Sequence, residues 1–464
     1  MNFLDRLVIP ESHEHLTLLK YLLVLVNVLF ITYSSIALIA STVAAFLDAR
    51  GRKHGEKIYS RFAGNLMDLA TPNRGAIVAL VVIPLITAVL IYAQIFRGMS
   101  VGITGYTVLA SCFYFFGFYF LYAYKKSFHL DVIYKTFQRL AESSEVDSGV
   151  ASEVESYEHT ITNTRMKFGR RGAILLWIGT WIFLGASSLA FTPDRWQASS
   201  FLMILFSGDT FWSIINYIVS AFILTSAAVI FFFFKWENGI ALFADEDYRS
   251  LVKRYALPIG IISAAIEPVL ILFDIKNLPQ TVISTTTFGL AGAALFVALF
   301  LIHIFYSMLK DAKVNLGSYA FVAGILLIFL LAAKDEVSLR HATEVQDQII
   351  EQRYAAMLAE LNPNEAAVVI SGEDIFNGRC SACHRFDIRL VGPPYNQTLP
   401  NFVGKMDSLE DFIMSPRQVV PGYPPMPAQG LKPAEVKAVA EYIMGIYLKS
   451  HPQDTLRMIG KKPV

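Results

Sequence analysis

Residues 211–234 read FWSIINYIVSAFILTSAAVIFFFF, a run without Asp, Glu, Lys or Arg. A helix needs about 20 such residues to cross a hydrocarbon layer of roughly 30 Å. Inside that layer a chain must satisfy its own backbone hydrogen bonds, and an α-helix does so within one segment. The run therefore predicts a membrane-spanning helix, and with it an all-α membrane fold.

Comparable apolar segments lie on both sides of this run. With it they predict eight spans in a polytopic helix bundle, near residues 17–48, 75–97, 103–124, 172–192, 208–234, 256–274, 282–306 and 317–334. The formal net charge of the whole chain is only +1. Such a balance carries no electrostatic footprint for nucleic acid, so we expect no nucleic-acid partner.

The distribution of Lys and Arg predicts how the spans are oriented. The loops after the first, third and fifth spans are rich in these residues, as in Arg50–Lys53 and Lys125–Lys126, whereas the loops between them are short and poor in positive charge. Because basic loops stay in the cytoplasm, the N-terminus and everything after Lys334 are expected outside. We therefore expect a multi-pass protein of a bacterial inner membrane with a periplasmic C-terminal part.

A short motif stands near the end of the chain, in GRCSACHRFD at 378–387. Cys380 and Cys383 are one helical turn apart and His384 follows directly, which is the C-x-x-C-H signature of covalent haem c attachment. The alternative is a redox-active C-x-x-C pair. The predicted periplasmic location favours the haem, with both cysteines as attachment points and His384 as an iron ligand.

The second iron ligand is predicted to be Met426, in the Pro-rich stretch YPPMPAQG. A thioether ligand raises the reduction potential relative to a second histidine, which suits an electron carrier. Met406, Met414 and Met444 are the rivals. Met444 falls on the predicted last helix, where a core role is more usual.

The segment 370–447 resembles the class I, single-haem cytochrome c family, on the C-x-x-C-H motif, the Gly-Pro-Pro loop after it and the Met in a Pro-rich loop. The resemblance implies that a helix at 432–447 packs across an N-terminal helix. It also implies that Pro393 supports His384. We expect Phe376 to lie against the haem.

These segments give a domain organisation. We expect a transmembrane domain at 1–335, a helical stalk at 336–365, a cytochrome c domain at 366–450 and a flexible tail at 451–464. The stalk rests on apolar residues at roughly helical spacing, among them Val345 and Ile349.

Few ionisable residues lie within the spans. His13 and His15 precede the first span and are the best candidates for a haem or metal site at the outer leaflet, or else ordinary interfacial residues. Glu267 is the only carboxylate well inside a span. A carboxylate is costly in hydrocarbon, so we expect Glu267 to have a role. It either binds a proton or a ligand, or it forms a hydrogen bond to another helix.

Residues 15–240 resemble the large haem-bearing subunit of cytochrome bd-type quinol oxidases. The resemblance lies in the arrangement of spans, in GEKIYSRFAGNL after the first span and in the Phe-rich ASCFYFFGFYFLYAY of the third. It implies a divergent bd-like subunit that has lost some or all of the family's haems b and d, with a bd-like second subunit as its partner. The family's ligand histidines are replaced near Asn27 and Asn216, and its long quinol-binding loop is missing.

The sequence thus supports a membrane-bound electron-transfer subunit of a respiratory complex, with other membrane subunits and a periplasmic cytochrome or other carrier as partners. The alternative is a catalytic bd-like oxidase or quinol:cytochrome c oxidoreductase subunit with its own membrane haems. A third hypothesis is that the membrane part only anchors the cytochrome. One span would be enough for an anchor, so eight spans argue against it.

Overall fold

The fold is described by a computed structural model. It covers residues 12–97, 102–142, 148–196, 200–236, 239, 245–278, 282–311, 314–361, 371–417 and 422–454. The described residues form helices and turns and include no strand. The chain divides into two compact units, a membrane unit (Met1–Tyr354) and a C-terminal unit (Ala355–Val464).

Among the described residues, eight helices of the membrane unit are long and apolar enough to cross a membrane, which confirms the predicted number of spans. Three other described helices of this unit are shorter or more polar. In chain order the helices are α1 (His13–His54), α2 (Lys57–Ala70), α3 (Arg74–Ile95, with a π-helical turn at Val78–Val82), α4 (Ile103–Glu142), α5 (Ser148–Ala190), α6 (Phe201–Leu205), α7 (Gly208–Phe234), α8 (Glu246–Asn277), α9 (Thr285–Asp311), α10 (Gly317–Ala342) and α11 (Glu344–Leu361).

Several helices extend beyond the apolar segments that predicted them. The sixth span, predicted at 256–274, belongs to a helix that begins at Glu246. Its start is set by Asp245, whose side chain accepts a hydrogen bond from the Tyr248 backbone N–H at 3.1 Å. Hydropathy marks only the part of a helix that lies in hydrocarbon, so polar helix ends with a cap of this kind stay outside the predicted span.

A buried ion-pair group connects three helices at one end of the bundle. Asp48 on α1 is 1% exposed. It accepts hydrogen bonds from Arg165 Nε on α5 at 3.1 Å and from Ser60 on α2 at 3.3 Å, and it pairs with Arg52 at 2.8 Å. Because a buried carboxylate is tolerated only when it is paired and hydrogen-bonded, this group fixes the packing of these helices.

Residues 336–361 of the predicted stalk are helical, in the last turns of α10 and in α11, and residues 362–365 lie outside the described residues. Val345 and Ile349, the apolar residues whose spacing predicted this helix, are exposed on α11. The side that packs on the membrane unit instead buries Ile350 and Gln346, and Gln346 donates a hydrogen bond to a backbone carbonyl after α3 at 3.0 Å. The buried side of α11 is therefore partly polar, and its apolar spacing alone does not identify it.

The first turn of α11 is attached to α1 by a buried lysine. Lys20 is 1% exposed, donates to Thr343 Oγ1 at 2.6 Å and forms an ion pair with Asp347. Removing one partner of a buried ion pair leaves an uncompensated charge, so the contact holds the start of α11 on the membrane unit.

The C-terminal unit is a small helical fold. Its helices are α12 (Gly372–Ile375), which continues as a π-helical turn at Phe376–Cys380, α13 (Tyr395–Thr398), α14 (Met406–Met414) and α15 (Pro433–Ser450). The helix α12 crosses α15 so closely that a Cβ at Gly372 would lie 2.1 Å from the Ala438 carbonyl oxygen. The implied crossing of the first and last helices is thus present. Most of the predicted tail, residues 455–464, lies outside the described residues.

Candidate haem site

The C-x-x-C-H motif forms a tight turn at the end of α12. The backbone N–H groups of Cys383 and His384 both donate to the Cys380 carbonyl oxygen, at 3.1 and 2.9 Å. The helix before the turn starts at Ser371, which accepts a hydrogen bond from the Asp374 N–H at 3.1 Å. The sequence therefore places both sulfur atoms on one helical turn, with the imidazole next in the chain.

The imidazole of His384 is held by the Gly-Pro-Pro loop. Its Nδ1 lies 3.1 Å from the Pro393 carbonyl oxygen. Since a carbonyl only accepts, Nδ1 must carry the proton, which leaves the Nε2 lone pair for a metal. This contact supports the implied role of Pro393.

Two neighbours fix the plane of the His384 ring. The Tyr395 ring stacks on it at 5.0 Å between centroids and 10° between planes. On the loop, a Cβ at Gly392 would lie 2.2 Å from His384 Cε1, so only a glycine allows the backbone to approach this closely. A ligand whose orientation is fixed in this way is prepared to bind iron.

The Cys380 thiol is shielded from solvent. Cys380 is 8% exposed, and neither it nor Cys383 forms a disulfide. Burial, followed by the neighbouring Cys383, raises the pKa of the Cys380 thiol. Because redox-active C-x-x-C motifs depend on a lowered thiol pKa, the alternative of a dithiol redox site is disfavoured.

Two arginines connect the motif to the loop that carries Met426. Arg379 donates to the Gln429 carbonyl oxygen at 3.2 Å, and Arg389 donates to the Gly422 carbonyl oxygen at 3.4 Å. The Arg389 guanidinium also lies 4.4 Å from the centroid of the Tyr423 ring. Both ends of the loop around Met426 are therefore held at the haem motif.

The three rival methionines lie in helical structure. Met444 is 2% exposed in the core of the C-terminal unit, in agreement with a packing role. Met406 begins α14 and is partly buried against the same core, and Met414 ends that helix with an exposed side chain. Met426, by contrast, is half-buried in a loop without regular structure.

The core beside the motif is aromatic. Phe376 is buried, with ring centroids of Phe386, Tyr395 and Tyr442 within 6.1 Å. Leu390, in the loop after His384, is exposed. Apolar and aromatic side chains of this kind pack against the faces and edges of a haem macrocycle. The residues present therefore fit a haem. Sequence reasoning missed Tyr395 and the two arginines, because their partners are distant in the chain.

The candidate histidines of the membrane unit do not converge. His13 and His15 occupy the first turn of α1, where positions two apart point in nearly opposite directions. The His13 side chain is 60% exposed and lies 4.0 Å from Glu351. In the described part of the chain, no three His, Cys, Asp or Glu side chains gather as ligands for a metal ion.

The positions that replace the bd-type ligands are amides with other contacts. Asn216 turns back to donate to the Trp212 carbonyl oxygen on its own helix, at 3.0 Å. The Oδ1 atom of Asn27 is buried without a hydrogen-bond partner among the described residues. Glu267 is 1% exposed, and its Oε1 accepts a hydrogen bond from Ser220 on α7 at 2.7 Å.

Comparisons with known proteins concern the C-terminal part. The family model for cytochrome c matches residues 369–446. Cytochrome c-551 of Azotobacter vinelandii is 30% identical over 78 residues, 16% of this chain and 95% of that protein. Cytochrome c-551 of Pseudomonas denitrificans is 31% identical over 78 residues, again 16% and 95%. Cytochrome c-552 of Hydrogenobacter thermophilus is 29% identical over 85 residues, 18% and 87%.

No solved structure matches the chain. Membership of the matched family implies a covalently bound haem c and electron transfer, and the eight apolar helices mark a membrane protein. Through residues 369–446 this chain belongs to the cytochrome c family.

Proposed function

We propose that this protein is the c-type cytochrome subunit of a membrane-bound respiratory complex. It carries one haem c, attached to Cys380 and Cys383, with His384 and Met426 as iron ligands. The C-terminal unit faces the periplasm of a bacterial inner membrane. Single electrons pass between the membrane complex and a periplasmic carrier.

The observation that carries this proposal is the state of His384. Its Nδ1 donates to the Pro393 carbonyl at 3.1 Å, and its Nε2 is therefore free for iron beside the two thiols. When bound, the haem supplies a reversible one-electron iron couple. The Nδ1 hydrogen bond increases the basicity of the imidazole, and the thioether of Met426 favours the reduced state.

The membrane unit has an exposed aromatic face at which we expect a partner subunit. Phe115, Phe116 and Tyr119 on α4 have exposed rings along a span, and such faces contact lipid or another subunit. The resemblance to the bd-type large subunit makes a bd-like second subunit the partner we expect, alongside the bilayer itself. The electron donor or acceptor inside the membrane then belongs to that partner.

The loop after His384 has the chemistry of a docking face for the carrier. Arg385 and Arg389 are exposed there, and Ile388 and Val391 expose 65% and 56% of their surfaces beside them. An apolar centre with basic residues around it complements a carrier with an acidic rim. Charges at such a rim act mainly on the rate of encounter.

Stopped-flow electron transfer tests the proposal. The purified full-length protein, reduced beforehand, is mixed with an oxidised acidic c-type cytochrome, and the absorbance of both haems is followed. We expect a second-order reaction that slows by about tenfold at low salt in Arg385→Glu. Lys437→Glu is the matched control, since Lys437 is exposed on α15.

Two results of this electron-transfer assay would contradict the proposal. Equal slowing in Arg385→Glu and Lys437→Glu would show that the loop after His384 is not the docking face. A reduced protein that has its haem bound but passes no electrons to any carrier would contradict electron exchange with a periplasmic carrier. Protease treatment of intact spheroplasts tests the orientation, and a C-terminal unit protected from cleavage would overturn its periplasmic location.

A further inference from the structure

The membrane unit contains a carboxyl group that electron transfer by the cytochrome does not use. Glu267 lies ten residues before the end of α8, about 15 Å along the helix axis. That distance places it near the middle of a span. Only 1% of its surface is exposed.

Its two oxygens have different environments. Oε1 accepts the hydrogen bond from Ser220 at 2.7 Å, whereas Oε2 is buried and has no partner among the described residues. A second polar atom on the same pair of helices, Trp212 Nε1, is also buried without a described partner. Buried polar atoms are rarely left unsatisfied, and water between α7 and α8 would satisfy both. Trp212 lies toward the end of α8 that carries Asp274, since its ring centroid is 4.2 Å from that of Phe273.

Among the described residues, no lysine or arginine forms an ion pair with Glu267. The run 211–234 of α7 has no charged residue. On α9, which also packs against α8, the titratable residues His303 and Tyr306 within the span have exposed side chains. The contact of Gly260 with Phe305 places that part of α9 toward the opposite end of α8.

The nearest charged group on α8 lies on the other side, toward its C-terminal end. Asp274 is two turns from Glu267, about 10 Å along the axis. It forms an ion pair with Lys334 on α10, and Lys334 Nζ is 3.0 Å from Asp335 as well. Asp274 keeps 28% of its side chain exposed, so this cluster reaches the surface of the membrane unit.

A purely structural role does not account for an acid at this position. A glutamine would accept the same hydrogen bond from Ser220 without the risk of a buried charge. Ionisable residues at this depth are costly, and they commonly mark pathways for ions or protons. The unpartnered oxygen of Glu267 and the partly exposed cluster of Asp274, two turns away, mark the two ends of a route to solvent through inferred water.

We propose that Glu267 is a proton-binding site of the membrane unit, loaded through water from the side of Asp274 and Lys334. Binding transfers one proton from the bulk solution to the carboxylate and removes one negative charge. No electron moves in this step. The site therefore adds proton uptake to the membrane unit, independently of the haem.

Infrared difference spectroscopy of the full-length protein in lipid nanodiscs tests the proposal. A change of pH should produce the carbonyl band of a protonated carboxylic acid, and Glu267→Gln should remove that band. The matched control is Glu246→Gln at the exposed start of the same helix, which should leave it unchanged. A spectrum of Glu267→Gln identical to that of the wild type would overturn the proposal.

Two further measurements keep the test decisive. If the Gln variant fails to fold, Glu267→Asp retains the acid on a shorter side chain and should displace the band; an unmoved band would refute the assignment. Dicyclohexylcarbodiimide, which attacks protonated carboxyl groups in apolar surroundings, should label Glu267 less as the pH rises. For the route, Asp274→Asn should slow the response to a pH jump, and a wild-type rate would overturn that part.

Discussion

The close approach of Gly392 to His384 gives a prediction whose size follows from the structure. In Gly392→Ala the new Cβ would lie 2.2 Å from His384 Cε1 and 2.6 Å from Nδ1, whereas ordinary contact begins at 3.4 Å. The imidazole must therefore retreat by about 1 Å. Such a movement breaks the 3.1 Å hydrogen bond from Nδ1 to Pro393.

The expected loss of stability has two parts. The hydrogen bond contributes about 0.5–1.5 kcal/mol, and overpacking a close contact costs about 1–3 kcal/mol. The free energy of unfolding of the C-terminal unit therefore falls by about 1.5–4.5 kcal/mol in all. For a unit of this size the melting temperature then drops by roughly 6–36 °C.

The assay is thermal unfolding of the full-length, haem-loaded protein, followed by the visible absorbance of the haem. Gly378→Ala is the matched control, because a Cβ at Gly378 meets nothing within 4 Å. We expect its melting temperature to change little. A wild-type melting curve for Gly392→Ala, or an equal loss in both variants, would refute the reasoning that this glycine makes room for the ligand ring.

Three other predictions concern separate contacts. Arg389→Ala frees one end of the loop around Met426, so we expect a weaker near-infrared charge-transfer band of the methionine-ligated ferric haem and a lower reduction potential. In haem-free protein at neutral pH, iodoacetamide should alkylate Cys383 faster than Cys380, because the raised pKa of the Cys380 thiol reduces its thiolate fraction. Lys20→Met leaves its buried carboxylate partner unpaired and should cost the membrane unit about 3–5 kcal/mol of stability, measured by thermal unfolding in detergent.

Each has a control and an outcome that would contradict it. Lys437→Ala should leave the charge-transfer band unchanged, and an unchanged band in Arg389→Ala would remove the arginine from ligand positioning. Equal alkylation rates would show that burial of Cys380 does not suppress its reactivity. For Lys20, the double variant with Asp347→Leu should recover most of the loss, and failure to do so would contradict the ion-pair explanation.

The parts of the fold that the sequence predicts are those encoded locally. The eight spans follow from long apolar runs, since hydrocarbon admits few alternatives to a helix. The turn at Cys380–His384 follows from a five-residue motif. Both depend on residues that are close in the chain, so hydropathy and spacing are sufficient to identify them.

What the sequence does not predict depends on contacts between distant residues. Lys20 and Asp347 are 327 positions apart, and their pairing decides which face of α11 is buried. The bond from Arg379 to the Gln429 carbonyl, which holds the Met426 loop, spans 50 positions. Only the folded chain brings such partners together, so the periodicity of the stalk does not identify the residues that α11 buries.

The central claim is that this membrane protein carries one covalent haem c at Cys380 and Cys383. The most direct measurement is a pyridine haemochrome spectrum of the purified, detergent-solubilised protein, combined with its intact mass. We expect one haem c per chain, and we expect the double variant Cys380→Ala, Cys383→Ala to carry no covalent haem. A chain mass without covalent haem, or haem b or d as the main pigment, would contradict it.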